Sequence, residues 1–374
     1  MTPNATPPLR VLHLEAGRQI LGGARQVVQL VTGLAQAGVE NLVVCPRGSR
    51  LIEAVNGVAT RILPVPMRGD LDLTTAWHTI RIAARERPDI VHVHSRRAVQ
   101  WLGGLAARWR HLPVVYSRRC DDPEFALVAR PKYAMYDRVI AISSCIHEQL
   151  ASVGVPPSKL RLVHSGVDPA PADCADRAAL CRQFDLAADA FILASIGVFI
   201  QRKGHPLILE ALSILRERYP QVRLILFGSG PLDAELRSQA AELNLVETVR
   251  FAGFRPDVRR WLPGLDLVVH PALAEGLGVA LLEAAAAGVP IVAARSGGIP
   301  DLVKHEQTGL LVEPGNVFAL AAAIARMIDD PALRKRSSAA AFELVEHQFT
   351  RDRMAQGNLA IYREVLAERV ARAA

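Results

Sequence analysis

The chain has 374 residues, half of them apolar and only 5% aromatic, which is enough to bury two ordinary cores and makes two domains the expectation. Its five cysteines are odd in number and scattered without a C-x-x-C pair, which argues against a disulfide framework or zinc site and makes a reducing cytoplasm the default. The net charge of +7 is placed unevenly: residues 1–186 carry 23 Lys and Arg against 16 Asp and Glu, and residues 187–374 carry 21 of each.

An excess confined to one half describes that half's partner rather than general solubility. The candidates are nucleic acid, an anionic membrane surface or a phosphorylated acceptor, with an ordinary solvated face as the plain alternative. No helix-turn-helix, zinc finger or aromatic RNA-binding motif is present, so nucleic acid is set aside. The opening MTPNATPPLR lacks the regions of a signal peptide, and no apolar run approaches the roughly 18 residues of a membrane span. A cytoplasmic, non-integral protein is expected.

In chain order, residues 9–14 read as the first strand, and Gly22-Gly23-Ala24 opens a helix over residues 25–37. A Gly-rich loop at a helix N-terminus is an anion position, although turns also use glycine for steric reasons alone. Further strands are expected at 41–46, 61–66, 90–94, 114–118, 138–143 and 160–164, with helix-length spacers such as 73–87 and 98–110. Such alternation predicts a parallel sheet with helices on both faces and ligands at the carboxyl ends of the strands. His94 and Ser95 end one strand in VHVHS, and Arg118 and Arg119 end another in VVYSRR. His92 and His94 alternate and so point to one side; His92 reads as a satisfied core histidine. Asp70-Leu71-Asp72 mimics a D-x-D metal signature, but its place before a helix makes Asp72 an N-cap.

A boundary is expected after His164-Ser165-Gly166-Val167-Asp168, where Pro169, Pro171 and an Ala/Asp-rich run to Ala175 have linker composition. A second alternating series then places strands at 191–197, 222–227, 249–251, 267–270, 291–294 and 310–313, followed by a nearly all-helical tail over 316–374. Gly197 ends the first of these strands, and Arg202-Lys203-Gly204 precedes a helix. Two cations in a strand-to-helix loop can neutralise a diphosphate, Arg by its fork and Lys as a point charge. An exposed basic loop is the bland alternative.

Residues 266–300 carry most of the chemistry: a buried strand, a short polar turn, a helix-period segment over 279–287, a Gly288-Val289-Pro290 stop and another strand. Glu275 lies at the helix mouth, with Glu283 about two turns further in. The helix mouth favours an anion, and Gly276 and Gly278 allow close approach. An anion cradle beside two acceptors for hydroxyls suits a ligand that is part phosphate and part sugar. Glu275 could equally be a dipole-complementing acid. For Glu283, on an otherwise Ala, Leu and Val helix, an unpartnered carboxylate would be costly.

EGLGVALLE followed by AGVP and SGGIP resembles the E-x7-E signature of family 4 retaining glycosyltransferases. The resemblance runs over most of the chain and implies the GT-B fold, two Rossmann-like doubly wound domains facing across a cleft. The expected division is residues 1–167 for the acceptor and 168–349 for the nucleotide sugar, with residues 350–374 crossing back. The resemblance also implies a retaining, metal-independent hexosyltransferase using a nucleotide-diphosphate sugar, UDP first, and no cofactor. Glu275, Arg202, Lys203 and His94 take the catalytic roles. Glu283, Gly276, Leu277, Gly278, Val279, Gly22, Gly23, Gly197, Gly228, Gly230 and Arg255 bind the donor. Gly228-Ser229-Gly230-Pro231 is similar to the family's turn beside the nucleotide, and Phe254-Arg255 to the segment whose backbone meets the base. Three departures stand out: Val198 and Arg25 replace the family's frequent Arg and acidic residue, and Ser165 replaces the Asn of its N-G-V-D segment. The implied partners are a nucleotide-sugar donor and a glycan or glycolipid acceptor, as in lipopolysaccharide or other envelope synthesis, with a peripheral contact to the anionic inner membrane through the basic half. A sugar-nucleotide epimerase and an inactive nucleotide-binding scaffold are the alternatives.

Overall fold

The computed structural model describes residues 7–373 apart from 21, 59–60, 68–71, 73, 95–98, 169–170 and 172. Ser95, Asp70 and Pro169 of the sequence reading therefore lie outside the described residues. The chain divides into two compact units, Met1–Gly166 with Arg351–Ala374, and Val167–Thr350.

The first unit is built on seven parallel strands: β1 (Arg10–Leu14), β2 (Glu40–Pro46), β3 (Arg61–Val65), β4 (Ile90–Val93), β5 (Val114–Arg118), β6 (Arg138–Ala141) and β7 (Leu160–Leu162). Their order is β3-β2-β1-β4-β5-β6-β7. The central strands are buried along their whole length because helices cover both faces and leave no solvated side to alternate with. Val11, Ile90, Val115 and Ile140, one from each of four strands, pack against Met354, Leu359, Tyr362 and Val365 of the helix Arg351–Ala373. That last helix also lies on the first one, where a Cβ on Gly33 would come within 2.7 Å of Ala355 Cβ.

The second unit has six parallel strands: β8 (Phe191–Ile196), β9 (Val222–Phe227), β10 (Val249–Gly253), β11 (Leu267–His270), β12 (Ile291–Ala294) and β13 (Leu310–Val312). They run in the order β10-β9-β8-β11-β12-β13. Leu193, Leu224, Val269 and Val292 meet Ile208, Leu212, Ile324 and Met327 from the flanking helices. Both sheets thus reverse their strand order once, between β1 and β4 and between β8 and β11. The crevice outside the carboxyl ends at such a reversal is where doubly wound sheets bind ligands.

Several boundaries differ from the sequence reading. The first helix begins at Gly22, three residues earlier than expected, and runs to Gln36. Strand β4 stops at Val93, so His94 stands just beyond it. Strand β6 ends at Ala141 because Ser143 caps the next helix, its hydroxyl accepting from Ile146 N–H at 3.3 Å. Residues 99–103 form a π-helical turn before the α-helix Gly104–Trp109. Gly103 leaves no room for a side chain there, since a Cβ would lie 2.7 Å from Leu14 Cδ1. No helix among the described residues is long and apolar enough to cross a membrane.

Candidate active site

In the second unit the reversal between β8 and β11 gathers the residues singled out from sequence. After β8 the chain passes Gly197 and a short 3-10 turn, Gln201–Lys203, into the helix His205–Leu215. After β11 it passes Pro271 and Glu275 into the helix Val279–Ala286, which Gly278 opens at φ 90°, a left-handed conformation suited to glycine. Backbone bonds join the two loops: Leu273 and Ala274 N–H donate to Arg202 C=O at 2.8 and 3.3 Å. Gly204 seats against the second loop so closely that a Cβ would lie 2.1 Å from Pro271 O. A third loop is attached through Gly298 N–H to Glu275 C=O at 3.0 Å and Ser296 Oγ to Ala272 C=O at 2.7 Å. Glu275 is therefore positioned by three loops rather than by the helix it precedes.

Lys203 Nζ donates to Glu275 Oε2, which also accepts from His270 Nε2 at 2.9 Å. Burial acts to raise the Glu275 carboxyl, but the His270 hydrogen bond and the Lys203 charge together hold it well below the usual carboxylate range. His270 is lowered chiefly by burial against the opposing pull of Glu275. His205 is lowered to about 3, by burial first and then by His270 and Lys203. Beside the Lys203–Glu275 ion pair, burial keeps both imidazoles neutral. The ammonium keeps further donors and the carboxylate further acceptor positions, so the pair can still take a ligand.

Glu283 is buried in the second turn of its helix, with Arg259 Nε 3.9 Å away. A protein cation therefore accounts for part of what its buried carboxylate needs. Gly276, Leu277 and Gly278 are buried, whereas Val279 is partly exposed. Gly197 lies where β8 meets the Gly228–Gly230 turn. A Cβ on Gly228 would come 1.9 Å from Gly197 O, and one on Gly230 2.6 Å from Phe199 O, so close loop packing by itself demands these glycines. The Arg255 guanidinium is committed to a bidentate pair with Asp257 at 2.9 Å for both bonds.

In the first unit the reversal between β1 and β4 brings together three histidines. His13 pairs in register with His92, and the His92 and His94 ring centroids are 3.8 Å apart, on one side as their alternation predicts. His92 is a satisfied core histidine, with Nδ1 2.6 Å from Tyr362 Oη and Nε2 2.8 Å from Ser117 Oγ. His13 Nδ1 lies 2.9 Å from His94 Nε2, and its Nε2 lies 3.0 Å from Asn41 Oδ1. Burial lowers His13 to about 4 and lowers His92 and His94 well below the ordinary imidazole value. Potential metal-ligating nitrogens of the three lie within 4.8 Å of one another. A metal would have to displace hydrogen bonds that occupy both nitrogens of His13 and His92 and share the site with the half-buried cation Arg119, so the cluster reads as a hydrogen-bond network. Arg118 is structural, tied to Glu124, Tyr133 and Cys120 C=O. Gly22 and Gly23 are exposed, with open space around them. Asp72 accepts from Thr74 N–H at 3.0 Å, a capping contact.

Residues 20–171 match Glycosyltransferase Family 4, and residues 176–344 match Glycosyl transferases group 1. A GDP-mannose-dependent alpha-(1-6)-phosphatidylinositol monomannoside mannosyltransferase of Mycolicibacterium smegmatis is 30% identical over 285 residues, 70% of this chain and 69% of that protein. The chain belongs to glycosyltransferase family 4. It is a glycosyltransferase with two Rossmann-like domains of the GT-B type. A Rhizobium meliloti lipopolysaccharide core biosynthesis glycosyltransferase, LpsE, is 29% identical over 92% of this chain and 96% of its own. The fold is similar to that of Anabaena Alr3699/HepE in complex with UDP and glucose, with a TM-score of 0.82, 21% identity, and coverage of 95% of this chain and 100% of that one.

Sequence reasoning missed His270, His205, Arg259, His13 and Asn41. His270 carried a signal, a histidine closing an apolar strand five residues before Glu275. The others depend on contacts between separate strands or helices, which a linear pattern does not display.

Proposed function

We propose that this glycosyltransferase moves a hexose from a nucleotide-diphosphate sugar to a glycan or glycolipid acceptor, with retention of configuration and without a metal ion. The observation that carries the proposal is the Lys203–Glu275–His270 assembly at the sheet reversal, which sets a positive charge for a phosphate beside a carboxylate for hydroxyls. Glu275 accepts from hydroxyls of the donor sugar, Glu283 from the ribose, and Arg202 and Lys203 meet the diphosphate. When the bond from the anomeric carbon to the diphosphate breaks, its electron pair goes to the departing phosphate oxygen. A preorganised cation at that position stabilises the developing charge, which is usually the largest single contribution to catalysis of this kind. The acceptor hydroxyl forms the new bond on the same face and gives its proton to the same phosphate oxygen, so no protein base is required.

His94 is assigned to hydroxyl recognition on the donor sugar. The names of the relatives support an envelope acceptor such as a lipopolysaccharide core or phosphoinositide glycolipid. The basic first unit also exposes Trp109, Phe125 and Leu127, at 76, 84 and 88% of their surface, which suits peripheral contact with an anionic membrane. Sedimentation with phosphatidylglycerol vesicles but not with phosphatidylcholine vesicles is the expected behaviour; equal binding to both would remove the electrostatic part.

A thermal-shift panel of UDP-, GDP-, ADP- and TDP-sugars, each with and without magnesium, tests the donor assignment. A ligand at a hundred times its dissociation constant adds about 2.7 kcal/mol of stability. One nucleotide class is expected to stabilise the protein equally with and without the metal. A shift that requires magnesium overturns the metal-independent reading, and no shift from any sugar overturns the donor site.

A further inference from the structure

The histidine network of the first unit fixes more than packing. Asn41 Nδ2 donates to Val39 C=O at 3.0 Å and reaches Val31 C=O at 3.4 Å, so its amide orientation is set and Oδ1 is the face turned to His13. A carbonyl oxygen only accepts, so His13 carries its proton on Nε2. A neutral His13 then has a bare Nδ1, which can only accept, and His94 must donate to it from Nε2. That leaves His94 Nδ1 as a lone pair. It is buried and has no hydrogen-bond partner among the described residues. An unsatisfied buried acceptor in an otherwise paired network calls for an explanation. This one belongs to the residue just beyond β4, at the carboxyl end of the strand reversal where ligands bind.

We infer that Asn41 and His13 are positioning residues that lock His94 as a neutral imidazole with Nδ1 as an acceptor, so that this position recognises a hydroxyl proton and rejects a phosphate or carboxylate oxygen. The sugar half of the inference rests on the reading of His94 given under Proposed function. The tautomer half does not. A bare nitrogen in a closed, water-excluded place has already lost its solvent partner, so a hydroxyl that arrives there gains a hydrogen bond without displacing one. Arg119, half-buried close by, opposes protonation of all three rings and keeps the lone pair available.

The test uses the full chain in three arms. First, nitrogen-15 NMR of the imidazoles at pH 7.5, with the His94 signals assigned by their loss in His94→Gln, reads the tautomer directly. A pyridine-type Nδ1 and a protonated Nε2 are expected; a protonated Nδ1 or a doubly protonated ring overturns the inference. Second, His13→Gln and His13→Leu are compared. The glutamine carbonyl can still accept from His94 Nε2–H, whereas leucine fills the space without an acceptor. If His13 only packs, leucine serves at least as well as glutamine in this buried place. If it positions His94, glutamine keeps the wild-type signal and leucine loses it.

Third, binding of UDP-glucose and GDP-mannose is measured against UDP and GDP alone in the same variants, with thermal unfolding confirming that each folds. His13→Leu is expected to weaken the sugar-dependent part of the affinity about tenfold, and His13→Gln less than about threefold, while nucleotide binding stays unchanged. Equal sugar-dependent affinity in both variants overturns the positioning role. If neither sugar adds to its nucleotide in the wild type, the sugar half fails together with the wider reading of His94, and the NMR result stands separately.

Discussion

Mild acid should destabilise the first unit well before any carboxylate titrates. Three buried imidazoles, His13, His92 and His94, have folded values depressed to about 4 or below the ordinary range, mainly through burial. An unfolded histidine titrates near 6.5. Between that value and the depressed folded ones the unfolded state binds more protons than the folded state, so stability falls as pH falls. From pH 7.5 to 5.5 each such group removes on the order of 1 kcal/mol, and the three together a few kcal/mol, a large share of an ordinary domain's stability. In the second unit His205, lowered to about 3, removes on the order of 1 kcal/mol over the same range, with His270 adding a smaller share in the same direction. The depressed Glu275 adds its own loss only at lower pH, when the pH falls below the unfolded carboxylate range. Amide hydrogen exchange resolved by peptide at the two pH values separates the units, with the exchange rates corrected for intrinsic pH dependence. Protection in the β1–β4–β5 region of the first unit should drop more than protection in β8–β11–β12. Unchanged protection across the range would refute the burial of neutral imidazoles on which the argument depends.

Two further perturbations probe the frame that holds the sites. Removing residues 351–374 takes Met354, Leu359, Ile361, Tyr362 and Val365 out of the first unit's core, each worth about 1.5–3 kcal/mol, and uncovers Val11, Ile90, Val115 and Ile140. The loss, about 10 kcal/mol, matches a whole domain's stability, and circular dichroism with limited proteolysis should find the first unit unfolded and the second still protected. Gly204→Ala places a Cβ 2.1 Å from Pro271 O at a φ of 68°, so the loops carrying Lys203 and Glu275 must separate. A loss of roughly 2–4 kcal/mol in urea unfolding is expected, together with weaker nucleotide-sugar binding; a neutral result would mean that the two loops are not locked together.

Much of this was legible in the sequence because parallel strands buried on both faces are apolar runs. VVYSR, VRLILF and LVVH match β5, β9 and β11 residue for residue. Boundaries fixed by a cap, as at Ser143, or by a steric demand, as at Gly103, shifted by a few residues because the deciding atom lies elsewhere in the fold. Lys203 and Glu275 could be found because each sits in a Gly-bearing loop between a strand and a helix. Their direct pairing could not, since 72 residues separate them and only adjacent strands bring them together. The same holds for His13 and His94, 81 residues apart on neighbouring strands. Gly228 and Gly230 were read for a nucleotide, yet Gly197 and Phe199 already require them. Sequence alone does not distinguish a glycine kept for a ligand from one kept for a neighbouring loop.

The most direct test of the transfer site is the steady-state transfer rate of Glu275→Gln against wild type, using the nucleotide sugar that stabilises the protein in the panel. Glutamine keeps an acceptor for His270 and nearly the same volume, so the fold is retained while the negative charge beside Lys203 is lost. Transfer should fall by a factor of about 100 or more, as when one preorganised electrostatic contact is removed from a transition state. Turnover within a few-fold of wild type, in a protein shown to be folded, would contradict the assignment of Glu275 to the reacting sugar.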